Sequence, residues 1–316
     1  MEKRFPVKLS PAYKDYLWGG ERLRTVFSKK TDLSPLAESW ELSLHPDGES
    51  RVASGPHAGR ALSEYLSALG EEVLGTAAAR FDRFPILIKL IDAKKDLSVQ
   101  VHPDDAYALS HEGEYGKTEM WYILDAEEGA ALYYGFRRPV TREEYERAIA
   151  EERLTELLLR VPVKRGDCFF IEAGTVHAIG AGILLAEIQE NSNTTYRVYD
   201  YGRRDKDGNL RPLHTERALA VSTLSPAPAA KRPEEGEDVL LASCPYFTCR
   251  RLRVEGEACI LLDEESFRSL LVTEGEGELI MEGKTLSLAR GDSIFVPAQN
   301  GSLALRGKLE VILTHL

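Results

Sequence analysis

The sequence predicts a mainly β protein built from two related β-barrels with a few peripheral helices. Three observations carry this. The stretch Leu97 to Glu119, LSVQVHPDDAYALSHEGEYGKTE, reads as strand, polar loop, strand. From Val239 to the end the chain is short apolar strands separated by glycine turns, the pattern of an all-β barrel or sandwich. Finally, KRGDCFFIEAGTVH (Lys164–His177) lines up with ARGDSIFVPAQNGS (Ala289–Ser302), so one supersecondary unit occurs twice. Residues 1–224 read as a first barrel with helical additions. Ser225 to Asp238, rich in Pro, Ala and Glu and without a period, reads as a linker, and residues 239–316 as a second barrel.

The elements follow in order. LWGG (Leu17–Gly20) is a turn with an aromatic anchor. ESWEL alternates around Trp40 and Leu42 as a strand and turns at His45-Pro46-Asp47-Gly48. Leu62, Tyr65, Leu66, Leu69 and Val73 recur at helical spacing, which predicts a helix over 62–74. RFPILIKLIDA (Arg83–Ala93) is a buried strand by its apolar run. Thr141 to Val161 predicts an amphipathic helix, or two short ones, entered through a threonine cap with acidic residues in its first turn. Cys168 to Ile171, a segment opened by His177, Ile183 to Gln189 and the run around Arg197 are strands, and His214 to Leu224 is a short helix.

The composition narrows the function. With 316 residues, 43% of them hydrophobic, the chain has material for a sizeable core. A net charge of −11 argues against a nucleic-acid or anionic-membrane surface. The opening residues lack the apolar region of an export signal, and no apolar run is long enough to span a bilayer. Cys168, Cys244, Cys249 and Cys259 show no C-x-x-C spacing, so reduced thiols in a cytoplasmic protein are the expectation.

In an extended strand, residues two apart share a face. Ser98, Gln100 and His102 therefore point one way, and Lys117 and Glu119 share a face on the next strand. If those faces meet, an amide, an imidazole and a carboxylate lie beside a hydroxyl and an ammonium. The first three suit a borderline divalent ion such as zinc, and the last two a phosphate. His177 adds a second imidazole. Its counterpart in the second copy of the repeat is Ser302, and no histidine-plus-carboxylate set accompanies that copy. The second barrel is therefore expected to hold no metal and to serve as structure or as a wall of the first site.

QVHPDD (Gln100–Asp105), GKTEMWY (Gly116–Tyr122), AGTVHAIG (Ala173–Gly180) and EIQENSNTTYRVYDYGR (Glu187–Arg203) together resemble type I mannose-6-phosphate isomerases of the short bacterial form, members of the cupin superfamily. The resemblance implies two cupin-like barrels of jelly-roll type and one zinc ion per chain, held at Gln100, His102, Glu119 and His177. It implies a catalytic arginine at Arg197, a pocket carboxylate at Glu187, a pocket histidine at His45, and substrate phosphate at Ser98 and Lys117. It also implies interconversion of mannose 6-phosphate and fructose 6-phosphate by proton transfer through a cis-enediol. Arginine stays protonated at any working pH and so suits charge stabilisation, not general base. Glu187 and His45 both remain open as the base, and a monomer and a homodimer both remain open as the assembly. Two rivals stand beside this reading: a cupin metal enzyme of another kind, such as an iron oxygenase, and a sugar-binding cupin without catalysis.

Overall fold

The computed structural model describes residues 4–204, 207–230 and 232–316. Two antiparallel sheets form the first barrel. One has six strands in the order Cys168–Ile171, Glu119–Ala126, Ile183–Glu190, Ile86–Ala93, Glu38–Leu42 and Ala12–Lys14. The other has five, in the order Leu158–Pro162, Ala131–Phe136, His177–Ala178, Val99–Val101 and Tyr196–Tyr199.

Strand parity decides what each sheet buries. On the six-stranded sheet Trp121, Ile123, Leu185 and Ile91 face inward and meet Leu132, Tyr134 and Ile179 of the other half. The opposite face carries Met120, Tyr122, Ile88 and Leu90, which pack on Phe247, Phe267, Leu271, Phe295 and Ile312 of the C-terminal sheet. Each fully buried phenylalanine of that contact contributes roughly 2–3 kcal/mol, so the two halves share one core. On the outer side of the five-stranded sheet, Val99, Val101, Val176 and Val198 pack under the helices Arg142–Ala150 and Thr215–Val221 through Tyr145, Ile149 and Ala218.

The C-terminal sheet has eight strands and an apolar interior that includes Leu270, Val272, Ile294, Val296, Leu303 and Leu305. Two of its strands come from the N-terminal region. Val7–Ser10 pairs with Ser293–Val296, and Arg51–Val52 pairs with Val7–Ser10. Strand pairing therefore runs across a boundary at residue 224: Val7 and Leu9 bury their side chains against the far sheet and close its edge.

The repeated segment folds alike in both halves. Gly166 and Gly291 both take positive φ, 88° and 91°, as the tight turn requires. The aspartate of each turn accepts a backbone N–H three residues back, Asp167 from Lys164 and Asp292 from Ala289. Each turn then pairs with its barrel through the same two backbone bonds, to Ile123 in one copy and Val272 in the other.

Four local expectations are corrected. The loop after His102 holds a helix, Asp105–His111, capped by the Asp104 side chain on Tyr107 N–H. The helix at 141–161 stops at Ala150; it has the threonine–glutamate capping box, but the apolar tail Leu158–Pro162 is an edge strand. The helix from Leu62 ends at Leu69, because Gly70 leaves helical backbone with φ +91° and the chain continues as a 3-10 turn. Trp40 and Leu42 do not share a face: Trp40 opposes Lys89 and Leu42 opposes Ile88, so a bulge at Glu41 turns Trp40 into the barrel and Leu42 into the shared core.

Candidate active site

The site lies inside the first barrel, where the two sheets turn polar faces toward each other. Gln100 stands directly between His177 on one neighbouring strand and Arg197 on the other, so all three project from one face of the five-stranded sheet. From the six-stranded sheet come Glu119, Glu187 and Lys89; Glu187 sits opposite Lys89 on one side and Trp121 on the other. His102 follows its strand directly, and its carbonyl accepts Gly174 N–H at 2.8 Å. Lys117 is brought back to it by a bond from its own N–H to the Pro103 carbonyl, 3.0 Å. Gly116 permits that return, since a Cβ there would fall 2.5 Å from the Asp104 carbonyl carbon.

His102, Glu119 and His177 each offer a ligand atom, and these atoms lie within 4.8 Å of one another. His177 Nε2 is 3.4 Å and His102 Nε2 3.8 Å from a Glu119 oxygen. Both imidazoles are oriented from behind: His102 Nδ1–H points at the Thr194 carbonyl, 2.9 Å, and His177 Nδ1–H at the Thr175 carbonyl, 2.8 Å. That leaves each Nε2 lone pair aimed inward, the arrangement of metal-binding histidines. Burial first, and then the nearby Lys117 ammonium, hold His102 well below the usual range; burial takes His177 down to about 4. Both are thus neutral, as ligands must be. The Gln100 side chain adjoins them, its amide nitrogen 3.3 Å from His177 Nε2. Glu119 is fully buried; among the described residues neither of its oxygens has a well-aligned hydrogen bond, and the Lys117 ammonium faces it at 2.8 Å as an ion pair. A buried carboxylate so poorly satisfied beside two inward imidazoles fits a divalent cation.

A second cluster adjoins the first. Glu187 faces Lys89 at 3.0 Å and Lys117 at 3.7 Å and accepts the Trp121 indole N–H at 2.9 Å. Burial alone would raise its pKa, but the two ammoniums outweigh it and bring it down to about 2. Glu119 has one ammonium and also faces the Glu187 charge; burial and that charge push it up to about 7. Glu38, pinned by the Trp40 indole N–H at 2.7 Å, flanks Lys89 at 3.9 Å. The sequence reading did not place Lys89, Glu38, Trp40 or Trp121 in the site. The signal was present: Lys89 is a lone ammonium inside the apolar run ILIKLI.

The remaining candidates separate. Arg197 is half-buried, donates to the Pro212 carbonyl at 3.0 Å and has a buried Nε with no partner among the described residues. Asp200, its nearest rival partner by sequence, is taken by Arg203 and by Arg211 at 2.6 Å. Asp205, the next carboxylate along the chain, lies outside the described residues. Ser98 is buried just ahead of the Gln100 strand. His45 is buried rather than exposed and packs edge-on against Trp40, with ring centroids 5.7 Å apart. Its Nδ1 accepts Asp47 N–H at 3.1 Å, and its Nε2 lies 3.3 Å from Glu114.

Comparison with known proteins decides the family. The family model for the catalytic domain of type I phosphomannose isomerase matches residues 7–129, and that for the cupin domain of mannose-6-phosphate isomerase matches residues 237–316. A mannose-6-phosphate isomerase of Bacillus subtilis is 40% identical over 321 residues, covering 98% of this chain and 99% of its own length. This chain belongs to the type I mannose-6-phosphate isomerase family. Another member, from Streptococcus mutans, is 39% identical over 316 residues, covering 98% of both chains. The crystal structure of a family member from Bacillus subtilis superposes with a TM-score of 0.91 at 37% identity, covering 99% of this chain and 100% of the other. The family assignment makes the chain an enzyme with two cupin-type barrels. Among the described residues no helix is long and apolar enough to cross a membrane.

Proposed function

We propose that this enzyme interconverts mannose 6-phosphate and fructose 6-phosphate, with His102, Glu119, His177 and Gln100 the residues that would hold one zinc ion. The observation that carries this is the convergence of His102, Glu119 and His177 within 4.8 Å, one strand away from a guanidinium in a chain of this family. Zinc, when bound, supplies a Lewis acid for the sugar oxygens of the enediol. The protein's residues do the rest. Arg197 stabilises negative charge as it develops, because its Nε, which has no partner among the described residues, can donate without losing its proton. Glu187 moves the proton between C2 and C1. It is ionised throughout the working range, whereas His45 has its lone pair occupied by the Asp47 N–H and its other nitrogen facing Glu114.

Ser98 and Lys117 hold the substrate phosphate and fix the far end of the sugar. For Lys117 this means exchanging its contacts with Glu119 and Glu187 for the phosphate. Glu187 then keeps only Lys89 as a charge partner and becomes a stronger base once substrate is in place. The deciding experiment is a coupled assay with mannose 6-phosphate, before and after chelation, with metal analysis. Loss of turnover on chelation and recovery with zinc is the expected result; undiminished turnover in metal-free protein refutes the assignment.

A further inference from the structure

We propose that Glu114 is a positioning residue that keeps His102 in one tautomer by gathering the turn at residues 192–194, while its other oxygen faces His45. The inference rests on His102 being a metal ligand, as read above. Glu114 sits on the loop that returns the chain from the Asp105–His111 helix to Lys117. Its two oxygens divide the work. Oε1 lies 3.3 Å from His45 Nε2. Because His45 Nδ1 already accepts the Asp47 N–H, the ring proton is on Nε2, facing the carboxylate. Oε2 accepts Asn193 N–H at 3.3 Å, the Thr194 hydroxyl at 3.1 Å and the Ser192 hydroxyl at 3.5 Å. The same short segment presents the Thr194 carbonyl to His102 Nδ1–H.

One carboxylate thus gathers the turn whose carbonyl selects the inward Nε2 lone pair of His102. The turn is fastened from the other side as well: Asn193 donates to Asp47 at 2.8 Å, and Asp47 belongs to the His45 turn. Without Glu114, the donors of residues 192–194 lose their shared acceptor, and the Thr194 carbonyl is held on His102 less firmly, by the Asn193–Asp47 and Gln189–Ser192 bonds that remain. Outer partners of metal-binding histidines are worth about 10- to 100-fold in metal affinity. Glu114 acts one step further out, through the backbone, and the loss should fall within that range.

The test uses full-length protein with Glu114→Ala and Glu114→Gln. Histidine ring tautomers are read by nitrogen NMR on the metal-free protein, and zinc affinity by competition with a chelator. Glu114→Ala should mix the tautomers of His102 and weaken zinc binding by about 10- to 100-fold. Glu114→Gln, whose one amide oxygen can still accept from the 192–194 turn while its NH2 faces His45, should recover most of the His102 tautomer pattern and of the zinc affinity. An unchanged tautomer pattern, or a zinc affinity within about twofold of the parent, overturns the proposal. Should Glu114→Ala not fold, Thr194→Val removes one donor to the carboxylate while keeping the Thr194 carbonyl, and is judged by the same two criteria. His102→Ala separates the layers. If it binds zinc like the parent, the metal assignment fails while the tautomer data still decide the role of Glu114. If it loses zinc and Glu114→Ala does not, only the present inference fails.

Discussion

Arg197 and Gln100 stand directly opposite one another on paired antiparallel strands, and Gln100 in turn stands opposite His177 on its other side. The guanidinium is therefore carried by the strand next to the ligand strand, and its bond to the Pro212 carbonyl ties it to the segment leading into the Thr215–Val221 helix rather than to the ligands. Charge stabilisation and metal retention should be separable. Arg197→Ala should lower kcat by about 100- to 1,000-fold with zinc content unchanged, and His177→Ala should lose zinc. Zinc loss from the arginine variant would contradict this division of labour.

Lys89 is the cation between two buried carboxylates, Glu38 and Glu187. Lys89→Met leaves both without it, and breaking such a buried set costs roughly 3–5 kcal/mol. Chemical denaturation should report that loss, and adding Glu187→Gln should return part of it. The pH profile gives an independent sign. A carboxylate that loses a neighbouring ammonium holds its proton more tightly, so its pKa rises. In Lys89→Met the acid limb of kcat/KM should move to higher pH. An acid limb that stays in place would mean that Glu187 is not the group titrating in catalysis.

Lys117 is 2.8 Å from Glu119 and 3.3 Å from His102 Nε2, so an alanine there tests two roles at once. If it binds phosphate, Lys117→Ala should raise KM for mannose 6-phosphate by about 10- to 100-fold, since a charge-assisted contact is worth roughly 1.5–3 kcal/mol. Unphosphorylated mannose should be a poor substrate for the parent and be little affected by the variant. If Lys117 serves only to neutralise Glu119, stability will change while KM for the phosphorylated sugar does not.

Alternation and repetition made the barrels legible. Val99 and Val101 pack on the outer, apolar side of their strand, which puts Gln100 and His102 on the other face; Leu97, ahead of that strand, breaks the expected alternation and packs inside the barrel with Trp121. What escaped was whatever depends on a break in that parity or on contact at long range. The bulge at Glu41 turns Trp40 toward Lys89, and no local pattern announces it. The Asp105–His111 helix is one short segment whose cap, Asp104, was read as part of a polar loop. Lys89 was visible as a charge in an apolar run, but its meaning depends on Glu187 and Glu38, which arrive from separate strands. Nothing near residue 7 indicated that its strand would complete the sheet of the other barrel.

Glu190 offers a test away from the reacting groups. It ends the strand that carries Glu187 and accepts Thr118 N–H at 2.7 Å, while its other oxygen is buried without a partner. Burial, and then the nearby Asp105 carboxylate, raise its pKa to about 8 from the ordinary 4.5. Asp105 itself accepts Gly116 N–H at 2.8 Å and the Tyr246 hydroxyl of the second barrel at 2.9 Å, so it is fixed beside Glu190. The sign follows from linkage. Between about pH 4.5 and 8 the folded chain keeps a proton that the unfolded chain has released, so this group makes stability fall as pH rises through that window. Glu190→Gln cannot ionise and can still accept from Thr118. Parent and variant should have similar denaturation free energies near pH 5, and the variant should be more stable at pH 8 by roughly 2–4 kcal/mol. A difference that is the same at both pH values would show that Glu190 is ionised in the folded protein and that the carboxylates are kept apart by some other means.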